Sequence, residues 1–190
     1  MLFGIGAVQF GFMYWSYLAS FRYLQSYEVA LFTVTTPLFV AALNDVTGRR
    51  FKPWNLLAAL LAVGGAALIK WQSMETVAPL KGILLVQFSN LCFAFGQLAY
   101  RSVMERMPRP VADRHVFFWL HLGGWAALTP VALPLALAHA PPAPSPEQWA
   151  VLAYLGLVAS GLCFFLWNRG ARQVSAGQLA VMNNLKIPLA

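Results

Sequence analysis

The chain has 190 residues, 59% hydrophobic and 10% charged, against about 25% charged in an ordinary soluble domain, and its mean hydropathy is +0.63. That balance excludes a water-soluble globular domain. The net charge of +7 does not indicate nucleic-acid binding, because the basic residues stand in short clusters between apolar runs and form no continuous polar face; they read as loop charge on a membrane protein.

Uncharged gaps set the spans, since roughly 20 apolar residues cross a bilayer. Met1 to Phe21 is the first, and Arg22 with Gln25 and Ser26 makes a short turn. The second runs from Ser26 to Asn44, with Glu28 near its start and Pro37 in its middle, and ends at Asp45 and the turn Thr47 to Arg50. The third, Pro53 to Ile69, opens on a proline suited to a first helical position, and its Gly64-Gly65 would let another helix approach closely. After the polar loop Gln72 to Pro79 comes Gly82 to Tyr100, then a basic loop, then Val116 to Leu137 with kinks expected at Pro130 and Pro134. The proline-rich stretch Ala140 to Pro146 cannot be helical. Ser145-Pro146-Glu147-Gln148 carries the pattern of a capped start, opening the span Trp149 to Asn168. A seventh span begins near Ser175 and is still running at Ala190.

Aligning Pro37 with Pro188 lays Ala19–Pro37 over Gly170–Pro188 without a gap, at an offset of 188 − 37 = 151 residues. Both stretches read as the end of one span, a basic turn, and a second span with a proline inside it. Loops following the second, fourth and sixth spans hold nine Lys and Arg (Arg49, Arg50, Lys52, Arg101, Arg106, Arg109, Arg114, Arg169, Arg172), and the alternate loops hold three (Arg22, Lys70, Lys81). The first set is therefore expected in the cytoplasm, over residues 45–52, 101–115 and 169–174. The two hairpins then open to opposite sides, as inverted repeats do. Residues 1–71 are read as three spans of the first repeat and 80–190 as four spans of the second, the last truncated. Extending the repeat gives an intact protein of about 300 residues with ten spans, five per repeat. The fold class expected is thus an all-α transmembrane bundle built from inverted five-helix repeats.

Polar groups that persist in hydrocarbon face protein or water. Gln87, Asn90, Ala94, Gln97 and Arg101, spaced 3, 4, 3 and 4, lie on one helix face. Gln87, Asn90 and Gln97 are candidates to offer amides to a polar substrate, with interhelical hydrogen bonding as the alternative reading; Arg101 is read as an anchor. Lys186, near the midplane, is a candidate to hold a substrate carboxylate, with Asn183 on its face at i − 3 and snorkelling as the alternative. Thr33 and Thr36 beside Pro37 line a kink or satisfy local backbone. Tyr17 and Trp167 either stack on substrate or belong to the interfacial belt. Glu28 is a candidate gate or proton site, or a helix N-terminal acid. His115, His121 and His139 have no spaced partner, and Cys92 and Cys163 read as small core residues. No phosphate-binding glycine loop, metal-ligand pair or nucleophile–base set appears, so no cofactor, metal or catalytic group is expected, and six scattered acids do not suggest an enzyme.

Several stretches resemble the drug/metabolite transporter superfamily, EamA type. Val29-Ala-Leu-Phe-Thr-Val-Thr-Thr-Pro37 and the Gly48-Arg-Arg turn resemble its fourth helix and exit, Leu56–Ile69 its fifth, and Gly82–Arg101 its sixth. Tyr154 to Arg172 resembles its eighth helix and basic turn. The chain departs from that pattern at Lys186, where a neutral or acidic residue is expected. The resemblance implies ten helices, inverted repeats and alternating-access transport, outward by analogy, of small metabolites such as amino acids or carboxylates. It implies a multi-pass protein of a bacterial inner membrane whose partners are lipid and a small-molecule substrate, with a homodimer left open. The competing reading is a non-transporting assembly protein whose polar residues are helix–helix contacts.

Overall fold

The computed structural model describes residues 1–48, 53–71, 79–108, 111–139 and 143–184. The apolar runs become helices, the form in which a segment satisfies its own backbone without water. In chain order they are α1 (Leu2–Gly6), a π-helical stretch Ala7–Phe12, α2 (Met13–Ser20), α3 (Ser26–Thr33), α4 (Thr36–Gly48), α5 (Pro53–Trp71), α6 (Leu80–Glu105), α7 (Asp113–His139), α8 (Pro146–Ala153), a second π-helical stretch Tyr154–Cys163, α9 (Phe164–Ala171) and α10 (Ala176–Asn184). No strand occurs among the described residues, and the all-α membrane fold holds.

The span count differs from expectation. Among the described residues four runs are long and apolar enough to cross a bilayer, Ser26–Gly48, Leu80–Glu105, Asp113–Ala138 and Pro146–Ala171, where the hydropathy pattern suggests seven. The first expected span is divided by its π-helical stretch into pieces of five, six and eight residues. The seventh is described over nine residues only. The third coincides with the 19-residue α5.

Helix α6 is central, touching α1, α2, α3, α4 and α9, while α7 lies along α1 and its π-helical continuation and α10 along α4 and α5. Small residues set the closest approach. A Cβ placed on Gly123 of α7 would lie 2.0 Å from the Phe3 carbonyl oxygen, and one on Gly6 would lie 1.9 Å from that of Leu120. At Gly64 and Gly65 no helix approaches among the described residues: nothing lies within 4 Å of a Cβ built on either. Both sit on an exposed face of α5. Cys92 is buried as expected but Cys163 is exposed, because it ends a π-helical stretch with no buried residue. Pro130 and Pro134 both lie inside the continuous α7.

Pro37 acts as its sequence context suggests. It has no N–H for the Thr33 carbonyl, and the Thr36 hydroxyl donates to that oxygen at 2.6 Å instead. The Leu38 amide turns to Thr35 at 3.0 Å, which leaves the Val34 carbonyl open to Nδ2 of Asn184 at 2.9 Å. The chain therefore breaks between α3 and α4, and α10 inserts an amide at the break. Pro37→Ala should close it, raising stability by on the order of 1 kcal/mol, less than the roughly 3 kcal/mol of an uncompensated break. Amide hydrogen exchange at residues 34–38 should slow. Unchanged exchange there would show that the break does not depend on the proline.

The two hairpins match in detail, though in a register one residue from that of the prolines. Tyr23 N–H bonds the Ser20 carbonyl and Val29 N–H that of Gln25; 150 residues later Gln173 bonds Gly170 and Leu179 bonds Ser175. The caps follow the same offset, with the Glu28 carboxylate accepting from the Gln25 amide at 2.7 Å and the Gln178 side chain from the Ser175 amide at 2.9 Å. A proline alignment cannot see this, because the capping residues differ in type. Ser145 and Gln148 form the capping box expected at α8.

Candidate functional site

The face of α6 singled out by spacing points inward: Asn90, Ala94 and Gln97 are buried and Gln87 and Arg101 half-buried. It builds two polar layers, separated by Ala94 and roughly two helical turns apart.

In the layer nearer the α3–α4 break no fully buried polar side-chain atom among the described residues lacks a partner. Thr35 Oγ1 donates to Gln87 Oε1 at 2.6 Å, and Asn90 Nδ2 donates to the Phe32 carbonyl at 2.9 Å and to Thr35 Oγ1 at 3.2 Å. Breaking α3 is what exposes these carbonyls to side chains. Thr33 donates to its own helix, to the Ala30 carbonyl at 2.8 Å, as Thr36 does to Thr33. Tyr17 is half-buried against the small core cluster of Leu24, Val29 and Val86, with its ring edge-on to Phe21 at 5.3 Å. Glu28 is buried, its carboxylate held by the Gln25 amide at the start of α3.

The second layer is not fully paired. Gln9, Gln97 and Asn168 are completely buried, and Asn183 and Asn184 nearly so. Gln9 Nε2 donates to Asn168 Oδ1 at 3.0 Å, and Gln97 Nε2 to Asn183 Oδ1 at 3.4 Å. Asn168 and Asn183 in turn donate to the carbonyls of Phe164 and Leu179 one turn earlier. The Gln9 side chain lies against the backbone of α6 at Gly96, where an added Cβ would meet Gln9 Cβ at 2.3 Å. Among the described residues, Gln9 Oε1, Gln97 Oε1, Asn184 Oδ1 and the Trp167 indole N–H are buried without a partner. Trp167 packs on the core cluster of Val40, Ala41, Ala94, Leu179 and Ala180.

One turn beyond Gln97 the seam ends in a charged knot. The Tyr100 hydroxyl donates to Asp113 Oδ1 at 2.5 Å, and Arg172 Nη1 donates to the same oxygen at 2.7 Å. Arg101 Nη1 reaches the Val174 carbonyl at 2.8 Å while its Nε pairs with Glu105. These contacts join the end of α6, the start of α7 and the turn between α9 and α10. On the other side of the bundle, the second π-helical stretch is held by His121 Nε2 to the Ser160 carbonyl at 3.0 Å and by a Tyr14–Ser160 hydroxyl pair at 3.0 Å.

Compared with known proteins, the chain matches the EamA-like transporter family over residues 1–71 and 80–189. It belongs to that family. It is 43% identical over 188 residues to a protein of Pseudomonas aeruginosa named "Probable biotin transporter", covering 97% of this chain and 64% of that one. It is 41% identical over 186 residues to the "Biotin transporter" of Escherichia coli K12, covering 97% of this chain and 60% of that one. At 21% identity over 165 residues it is similar to the "Uncharacterized transporter YetK" of Bacillus subtilis. The chain thus spans under two thirds of the length of the biotin-transporter relatives. No solved structure matches it.

In this EamA-like chain, then, Gln87 and Asn90 meet in the first layer, Gln97 and Asn183 meet in the second, and Trp167 packs on the apolar cluster beside α10. Thr33, Thr36, Tyr17 and Glu28 all have local partners outside it, and Lys186 lies outside the described residues. Sequence reading passed over Gln9, Asn168, Asn184 and Thr35. Gln9 and Asn168 are lone amides in aromatic surroundings, with no periodic partner on their own helix to mark them. Asn184 carries a signal in hindsight, as the second of two adjacent amides in an apolar run. Arg101, read as an anchor, bridges two elements.

Proposed function

We propose that this multi-pass EamA-like protein carries biotin, a monocarboxylate bearing a cyclic urea, across a bacterial inner membrane. The observation that carries this reading is 43% and 41% identity along nearly the whole chain to proteins named for biotin transport. The buried amide layer supports it, because a solute as polar as a cyclic urea needs hydrogen-bonding partners inside hydrocarbon. The hairpin pairing supports an inverted repeat. Val34 and Asn184 are counterparts at the 150-residue offset and bond each other, which is what a two-fold axis passing between the hairpins produces. Transport then follows as one repeat rocking against the other about the amide seam, the Tyr100–Asp113–Arg172 knot closing its cytoplasmic end. Lys186 is the candidate partner for the carboxylate.

Counterflow tests this without assuming a direction. Proteoliposomes holding the protein, expressed from its natural reading frame and preloaded with unlabelled biotin, should accumulate external radiolabelled biotin above the level of empty liposomes. Exchange of amino acids but not biotin would overturn the substrate. Exchange of neither would favour the assembly-protein reading, in which the amides are helix–helix contacts.

A further inference from the structure

Resting on the inverted-repeat part of that reading, we propose that the Gly156–Gly161 face of the second π-helical stretch seats one further helix of the same polypeptide. That helix is the first-repeat copy of α7. The 150-residue register places it at 113 − 150 = −37 to 139 − 150 = −11, upstream of Met1 in the natural reading frame.

The register of the hairpin turns continues into the helices before them. Gly6 and Gly11 become Gly156 and Gly161, and the π-helical stretch Ala7–Phe12 falls inside Tyr154–Cys163. Contacts between the two stretches obey it as well. The Phe10 and Phe164 rings meet at 5.4 Å, and the pair exchanged by the offset, Ser160 and Tyr14, is joined through its hydroxyls at 3.0 Å. A two-fold relation thus holds between side chains of different type. The winding explains the glycine spacing. Five residues make about 1.4 turns of an α-helix, but π-helical bonding from i to i+5 brings them near one face.

In the first copy both glycines are in use. A Cβ on Gly6 would lie 1.9 Å from the Leu120 carbonyl oxygen, and one on Gly11 would lie 2.6 Å from Ala127 Cβ, so α7 crosses there. In the second copy nothing among the described residues lies within 4 Å of a Cβ on Gly156. A Cβ on Gly161 meets only the Gly156 carbonyl oxygen of its own helix, at 3.2 Å. Neither α8 nor the π-helical stretch after it holds a buried residue, although Pro146–Ala171 is the most apolar of the four spanning runs. Lipid alone accepts any apolar residue on such a face and gives no reason for glycine, which weakens a helix. A closely crossing helix does. The chain covers 64% and 60% of its two biotin-transporter relatives, and the remaining length has room for a copy of the 27-residue α7. Like α7, that copy carries small residues where it crosses.

Photo-crosslinking of the protein expressed from its natural reading frame tests the assignment. Photo-leucine, close in shape to leucine, is incorporated in its place, including at Leu155, Leu157 and Leu162 beside the two glycines. After irradiation in liposomes and digestion, mass spectrometry should find a peptide holding one of these three joined to a peptide from upstream of Met1. A digest without that joined peptide, its crosslinks running to lipid or to a second copy, overturns the assignment. In the same full-length protein Gly156→Leu should lower the yield of monodisperse protein at least tenfold, as Gly6→Leu does. A yield equal to that of Gly64→Leu would also overturn it. The crosslink is read without any substitution, so it decides where misfolding of a variant has another cause. Neither readout uses biotin. An upstream crosslink without biotin counterflow removes the substrate and keeps the docking face, and counterflow without the crosslink does the reverse.

Discussion

Gly123→Leu should leave no folded protein, while Gly64→Leu at the corresponding composition in α5 should be tolerated. At Gly123 even the first added carbon falls 2.0 Å from a backbone oxygen of Phe3, and the adjacent Gly124 already abuts Phe10 Cβ. No rotamer relieves a clash with backbone, so α1 and α7 must separate. The core cluster between them, which includes Ile5, Phe10, Val116 and Leu120, would open with them. Loss of several kcal/mol follows, in the range where overpacking abolishes folding. At Gly64 nothing is met within 4 Å, and replacing a helical glycine there by alanine should gain about 0.5–1 kcal/mol of helix propensity. Fluorescence-detected size exclusion and a thermal melt in detergent distinguish the pair. A monodisperse, stable Gly123→Leu protein would mean that α1 and α7 do not approach as described.

The second large effect concerns the knot at the end of the seam. Asp113 holds both Tyr100 and Arg172 through one oxygen, so Asp113→Ala strands a cation whose Nε is already buried and unpartnered. Breaking a partly buried pair in this way leaves an uncompensated charge. Separation of α7 from the α9–α10 turn relieves it. A cysteine at Ala176, buried just beyond this turn, reports the change when Cys92 and Cys163 are replaced by Ser. Its labelling by an aqueous thiol reagent should rise at least tenfold in Asp113→Ala, and Tyr100→Phe should rise less because the ion pair survives. Exchanging the charges in the double variant Asp113→Arg, Arg172→Asp should restore protection. Equal labelling in all of these would mean the knot closes nothing.

Local pattern carried most of the architecture. Charge-free runs located α5 and the four spanning runs, since a bilayer leaves an apolar run little choice but helix. Ser145 to Gln148 announced a capping box that forms, and Pro37 announced the break between α3 and α4. The α6 stripe was visible because 3- and 4-residue spacing already defines a face. What escaped was whatever depends on two helices at once. Gly64-Gly65 and Gly6 look alike as sequence, yet among the described residues only Gly6 of these has a neighbour within 4 Å, because a small residue permits an approach without specifying one. Cys163 looks as buried as Cys92, because hydropathy cannot separate an exposed apolar position from a core one.

By itself the sequence determined an α-helical membrane protein of EamA type with polar side chains on one face of α6, because hydrocarbon rewards internal backbone bonding and punishes stray charge regardless of neighbours. Only the tertiary structure decided which amides meet, and which of their atoms are left over. Gln9 lies 159 residues from Asn168 and Gln97 lies 86 from Asn183. Whether an amide oxygen is spent or free is settled by the carbonyl its partner faces, a relation between helices that no stretch of chain contains.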